Sequence, residues 1–386
     1  MHGDIEREGT AGRVGELARL FTRLGFTAFG GPAAHISMMH DEVVSRRGWL
    51  DDQRFLDLIG VTNLIPGPNS TEMAMYVGHE RAGWRGLVTA GVSFIMPATL
   101  IVLAFAWIYA EYGETPGGAA LLYGIKPVVV AIIARALTKL GRSAVKGRLT
   151  GSIAVLAAAS YLFGFNELAI LALGGLVVLA VRSGRRASLM ATMPFVGVGG
   201  LSSVGASDPW SLSRLFLVFL KAGAFLYGSG YVLLAFLHND LVDGLDVLTE
   251  RQLFDAVAVG QFTPGPVFTT ATFIGYVLDG LPGAAVATVG IFLPAFLFVG
   301  AVTPLVRRIR DRMWTGAILD GVNAAALGLM AGVTFHLARD AFADRIAVGI
   351  AVVGAFILWR TRLNTAWLIA GGAAIGLVAY LAGFGG

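Results

Sequence analysis

Two Pro-Gly-Pro turns carry the residues with the most evident chemical use. Pro66-Gly67-Pro68 has Asn63 before it and Asn69, Ser70 and Thr71 after it; Pro264-Gly265-Pro266 has Gln261 before it and Thr269 and Thr270 after it. Proline lacks an amide hydrogen and disfavours helix in the residue that precedes it, so a helix must stop at each turn and another begin. New helices starting at Asn69 and Val267 would present unpaired N–H groups and the positive ends of their dipoles, a ready anion site. The side-chain amides and hydroxyls add neutral donors. Arg23 and Lys221 supply cations just before TAFGGP and FLYGSG, and Lys126 in YGIKPVV supplies a third, with Arg135 further along that helix. Gly30 and Gly31, and in the second copy Gly228 and Ser229, let backbone approach a ligand or a neighbouring helix closely. The set suits a small, multiply charged anion. Acidic groups able to couple binding to protons are Glu72 and the equivalent pair Asp57 and Asp255; the pair also suits helix N-terminal turns.

Other chemistries lack their residues. Cysteine is absent, which removes disulfides and thiolate ligands. His35 and His40 have no carboxylates at metal-ligand spacing, so no metal site is expected. No nucleophile motif or phosphate loop appears, and neither an enzyme nor a bound cofactor is expected. The net charge of +4 comes from Lys and Arg between apolar segments, where they set membrane orientation; no nucleic-acid partner is implied.

The elements that must hold these residues are membrane helices. With 56% hydrophobic and 14% charged residues, the chain contains apolar stretches such as 87–109 and 284–306. Each reaches the roughly 20 residues a helix needs to cross a bilayer. The chain also contains itself twice. At an offset of 198, Phe21, Gly25, Gly30, His40, Asp57 and Pro66-Gly67-Pro68 fall on Phe219, Gly223, Gly228, His238, Asp255 and Pro264-Gly265-Pro266. At an offset of 197, Gly83, Gly86, Pro97, Gly124 and Lys126 fall on Gly280, Gly283, Pro294, Gly321 and Asn323. The fold class that follows is an all-α integral membrane protein of two inverted-topology repeats, each with about five spanning helices and a broken re-entrant hairpin. The domains are a polar tail over 1–16, a first repeat over 17–186, a linker over 187–211 and an inverted second repeat over 212–386. The first span of each repeat is placed at 17–39 and 212–237. The hairpin arms are 54–65 with 69–77, and 251–263 with 267–277, too short to cross.

Charge supports the inversion. The 40–54 loop carries Arg46, Arg47 and Arg54, whereas 239–251 has Arg251 among four acids; 111–117 has no basic residue, whereas 305–313 has Arg307, Arg308, Arg310 and Arg312. Equivalent loops with opposite bias are what the positive-inside rule requires of inverted copies. This reading places the basic loops in the cytoplasm and both termini outside. The start of the chain is polar and reads as no cleaved signal peptide, which leaves a multi-pass protein of the cytoplasmic (inner) membrane with the lipid bilayer as its surroundings.

The segments FTAFGGPAAH and NLIPGPNS, with the degenerate copies FLYGSG and QFTPGPV, resemble the two-domain members of the chromate ion transporter family over almost the whole chain. The resemblance implies export of chromate from the cytoplasm, chromate resistance, and competition by sulfate, an isosteric dianion. The second copy departs from the pattern: Ser229 and Gly230 replace Gly31 and Pro32, and Val267 replaces Asn69. The residues alone support a small anion, with a sulfate transporter as the nearest alternative and an anion channel as the next. They leave oligomeric state open, a homodimer included.

Overall fold

The computed structural model describes residues 2–29, 31–62, 65–113, 115–183, 210–226, 232–302, 313–342, 344–361 and 363–383. Gly30, Asn63, Gly228 and Ser229 fall outside the described residues, as does the linker over 187–209. The first half comprises α1 (His2–Thr27), α2 (Pro32–His40), a π-helical turn (Asp41–Arg46), α3 (Asp52–Thr62), α4 (Asn69–Tyr112), α5 (Pro116–Ala144), α6 (Arg148–Leu162) and α7 (Glu167–Ser183). The second comprises α8 (Leu212–Phe225), α9 (Leu233–Leu237), a π-helical turn (His238–Gly244), α10 (Glu250–Phe262), a 3₁₀ turn (Val267–Thr269), α11 (Thr270–Val302), α12 (Met313–Ala341), α13 (Arg345–Arg360) and α14 (Thr365–Leu381). No strand occurs among the described residues.

Helices over Asn69–Tyr112, Pro116–Ala144, Val267–Ala301 and Gly316–Ala341 are long and apolar enough to cross a membrane. Their outer faces are apolar too. Trp84, Val88, Val92, Met96 and Leu100 recur every four residues on α4 and are exposed, as are Val352, Phe356 and Trp359 on α13. Water would not tolerate a patch of that extent, whereas hydrocarbon covers it without cost.

The first segment of each half is not one span, contrary to the 17–39 reading. α1 stops at Thr27, Gly31 takes φ 79°, and Pro32 opens α2. Positive φ suits glycine, and a proline at the first helical position fits there because its missing N–H has no partner to lose. The chain then doubles back until Glu42 reaches Arg23 at 2.6 Å. The second copy does the same, since Lys221 of α8 meets Asp240 at 2.6 Å.

α4 is also broken. Ala82 (φ −146°, ψ 24°) and Gly83 (φ 59°, ψ −146°) leave helical geometry, and the chain reverses so sharply that Gly78 rests on the carbonyl of Gly86. α11 repeats this at Asp279 and Gly280, with Gly275 on Gly283. Each therefore consists of a short limb leading from a Pro-Gly-Pro turn and a long limb that spans. With α3 at 11 residues and α10 at 13, each turn joins two arms too short to cross.

The halves are interlaced. α1 packs on α4 and α8 on α11 within their own halves, but α5 packs on α13 and α14, and α12 on α6 and α7. Glycines permit the exchanged contacts: Gly124 lies on the Gly372 carbonyl and Gly321 on the Gly174 carbonyl. The long limbs of α4 and α11 meet at the centre. Trp84 touches Gly300, and Phe296 lies 2.8 Å from the position a Cβ would take on Gly91. Rising numbers on one limb thus meet falling numbers on the other, so the two pass in opposite directions.

Candidate functional site: the central turns and the cavity beneath them

Each Pro-Gly-Pro turn is fastened to the opposite half. The Gly67 N–H donates to the Leu226 carbonyl at 2.8 Å, and the Gly265 N–H donates to the Ala28 carbonyl at 2.9 Å. Leu226 and Ala28 are equivalent positions, the first residues past the end of each first helix. The break in each first helix therefore meets the Pro-Gly-Pro turn of the other half. Both glycines need their freedom: Gly67 has φ 138° and Gly265 φ 89°. A Cβ on Gly67 would collide with Glu72 Oε1, and one on Gly265 would lie 2.6 Å from the Ala98 methyl. The sequence marks both turns, but not their bonding across the halves.

A cavity of about 470 Å³ leads from one face of the protein to the first of these turns. Ser143, Lys146 and Asp320 lie at its mouth, and Ile65, Asn69, Val232 and Asn323 line its inner part. Asp320 accepts from Lys146 Nζ at 2.7 Å and from Arg182 at 2.6 Å. Asn69 is the first residue of α4, so the amide end of that helix borders the cavity, where its dipole favours negative charge. Ser70 and Thr71 are buried in the same turn, and Thr71 Oγ1 has no hydrogen-bond partner. The second copy uses its hydroxyls differently. Thr269 donates to the Pro266 carbonyl at 2.8 Å and Thr270 to the Val267 carbonyl at 2.9 Å, so both cap their own turn. Gln261 is half-buried near the end of α10.

Asn323 and Asp320 were not singled out from sequence. The available signal was positional, because Asn323 matches Lys126, and a site shared by two copies uses both members of a pair.

The three candidate cations are each held by carboxylates. Arg23 pairs with Glu42 at 2.6 Å, and Arg46 and Arg47 also bond Glu42. Burial pushes the Glu42 carboxyl up, but its bonds to Arg47 and Arg23 outweigh that and hold it below the usual range. Lys221 reaches Asp240 at 2.6 Å and Glu167 at 3.0 Å. Glu42 and Asp240 are equivalent, so in each half this pair ties the first helix to the returning π-helical turn. Lys126 lies 3.8 Å from Asp255 Oδ1, and the Tyr109 hydroxyl donates to Oδ2 at 2.9 Å. Asp255 is fully buried. Its counterpart Asp57 accepts from Gln53 at 3.1 Å. Lys126, the counterpart of Asn323, thus stands together with Asp255 and Tyr109. Among the described residues no cluster of His, Asp or Glu is arranged to hold a metal ion. His40 pairs with Asp52 at 2.8 Å, and the equivalent His238 pairs with Glu250 at 3.2 Å.

An all-helical chain with several membrane-length apolar helices, and a cavity leading to paired helix breaks at its centre, is a multi-pass membrane protein. It belongs to the chromate transporter family, whose model matches residues 15–179 and again 213–377, once for each half. The chain is 34% identical to the chromate transport protein of Cupriavidus metallidurans, over 95% of this chain and 93% of that one. It is 32% identical to the chromate transport protein of Pseudomonas aeruginosa (92% and 89% covered) and 31% identical to a probable chromate transport protein of Synechococcus elongatus (89% and 90%). No solved structure matches it significantly.

Proposed function

We propose that this protein exports chromate from the cytoplasm across the inner membrane by alternating access between two inverted halves, conferring chromate resistance. The observation that carries the reading is the cavity ending at Asn69. It brings a helix N-terminus, side-chain amides and nearby cations within reach of a small tetrahedral dianion entering from one face. The opposed directions of the long limbs of α4 and α11 support the inversion. So do the ends of the halves: Arg182, at the end of α7, bonds Asp320 beside Lys146, whereas Arg214 of α8 shares a cavity with Asn166, at the start of α7. α7 thus ends at one face and α8 begins at the other. With Lys139, Arg142, Lys146 and Arg182 at its mouth or near it, the open face is cytoplasmic by the positive-inside rule.

In this reading the conformation is open inward. Lys126 is the outward-path counterpart of Asn323, held by Asp255 while that path is closed. Re-entrant hairpin tips from the two halves, at residues 28, 29 and 31 with 66–68 and at 226 with 264–266, form the central barrier, and rocking of the halves transfers the anion between paths. Ser70 and Thr71 follow the first turn and Thr269 and Thr270 the second, while Arg23 and Lys221 precede the breaks in the first helices. The names of the relatives support chromate as the cargo, and sulfate would compete because its shape and charge match. Asn69→Ala and Lys126→Ala should each abolish chromate protection of cells, and uptake of labelled chromate into inverted vesicles, while the protein stays inserted. Unchanged transport by both variants would overturn the assignment. Flux that persists without any gradient dependence at channel rates would favour a pore.

A further inference from the structure

Among the described residues, Glu72 is the one acidic residue of the central turns that no cation holds. It lies in the first turns of α4, three residues beyond Asn69, and is fully buried. Neither carboxyl oxygen has a hydrogen-bond partner, and no ion pair reaches it among the described residues. Its Oε1 occupies the space over the Gly67 Cα, so the carboxyl rests on the turn whose next arm lines the cavity. From the other half, among the described residues, the Leu226 carbonyl accepts from that turn and the Ala295 methyl lies 3.9 Å from the Gly67 Cβ position. Neither titrates. On its own helix the ionisable neighbour is Tyr76, one turn along, whose buried hydroxyl is also without a partner.

A carboxylate here would be buried without a counter-charge, so the neutral acid is favoured in the absence of water. Ionised, Glu72 would use the same positive helix end that borders the cavity, and would repel a dianion entering beside it. Anion binding and ionisation of Glu72 therefore oppose one another. Resting on the oxyanion reading above, we propose that Glu72 binds the proton that accompanies each anion, so that one proton and one dianion occupy the site together and move in the same direction. Net charge per cycle is then one negative unit, and an inside-negative potential drives export. Proton counter-transport is the arrangement this excludes. The second half carries Thr270 at this position, so the duplicated fold holds a single such carboxyl.

The experiment uses full-length purified protein in weakly buffered detergent solution, at alkaline pH where chromate is already the dianion. Chromate is added and proton exchange is followed with an indicator dye alongside binding. At pH values where Glu72 is ionised in the empty protein, wild type should take up about one proton per chromate bound, and over that range its affinity should fall about tenfold per pH unit. Glu72→Gln should bind chromate with no proton uptake and no such slope. Glu72→Thr, which copies the second half, should behave as the Gln variant does and covers the case where Gln fails to fold. Proton uptake by either variant equal to wild type, or wild type that binds chromate up to the most alkaline pH at which it stays folded with neither proton uptake nor a fall in affinity, overturns the proposal. If wild type binds no chromate at all, the oxyanion reading fails and this inference falls with it.

Discussion

Asp255→Asn should unlatch the outward path. The side chain is fully buried, with Lys126 at 3.8 Å and the Tyr109 hydroxyl at 2.9 Å. Removing one partner of a buried ion pair costs about 3–5 kcal/mol where contact is close. The long N–O separation and the partial exposure of Lys126 reduce that, and Asn still accepts from Tyr109, so about 1–3 kcal/mol of preference for the closed path should be lost. That is a change of about 5- to 150-fold in the ratio of the two states. The chain has no cysteine, so single cysteines report access without background. Leu327 lines the open cavity, and its counterpart Val130 is 5% exposed. In the Asp255→Asn background, labelling of Val130→Cys by an impermeant maleimide from outside should rise by a factor in that range. Labelling of Leu327→Cys from the cytoplasmic side should slow. Both rates staying within about twofold of their Asp255 values, in protein that remains folded, would refute the latch and the assignment of the two paths.

Glycine substitutions should divide by what surrounds them: Gly78→Ala drives a methyl into the Gly86 carbonyl and should cost about 1–3 kcal/mol. Gly60→Ala, on helical α3 with nothing within 4 Å of the new methyl, should gain about 0.5–1 kcal/mol; melting in detergent separates the two signs. Because its arginine partners depress the folded pKa of Glu42, its contribution is fully present above the ordinary value of 4.5 and is lost as pH falls through the lower folded value. Glu42→Gln should therefore flatten the acid limb of a melting temperature against pH profile, and an unchanged limb would remove Glu42 from the account.

The sequence by itself determined the helical membrane class, the duplication and the positions of the Pro-Gly-Pro breaks, because each rests on local rules: apolar length, proline chemistry and repeat spacing. Asn69 and the two Pro-Gly-Pro turns were legible for that reason. Tertiary structure decided what those local signals lead to. The FGGP break turned an expected span into a hairpin, because an apolar stretch of about 20 residues reads the same whether it crosses or doubles back. Arg23 and Lys221 were found against Glu42 and Asp240, partners about twenty residues away whose distance depends on that reversal. Only the folded chain brought Gly67 to Leu226, Asp255 to Lys126, and Asn323 into the cavity. Those contacts join residues more than a hundred positions apart, and no local pattern specifies which helix of an interlaced pair will meet which. Glu72 lies between the two cases. Its type and place were visible from the start, but its lack of any counter-charge is a property of the neighbours that packing delivered.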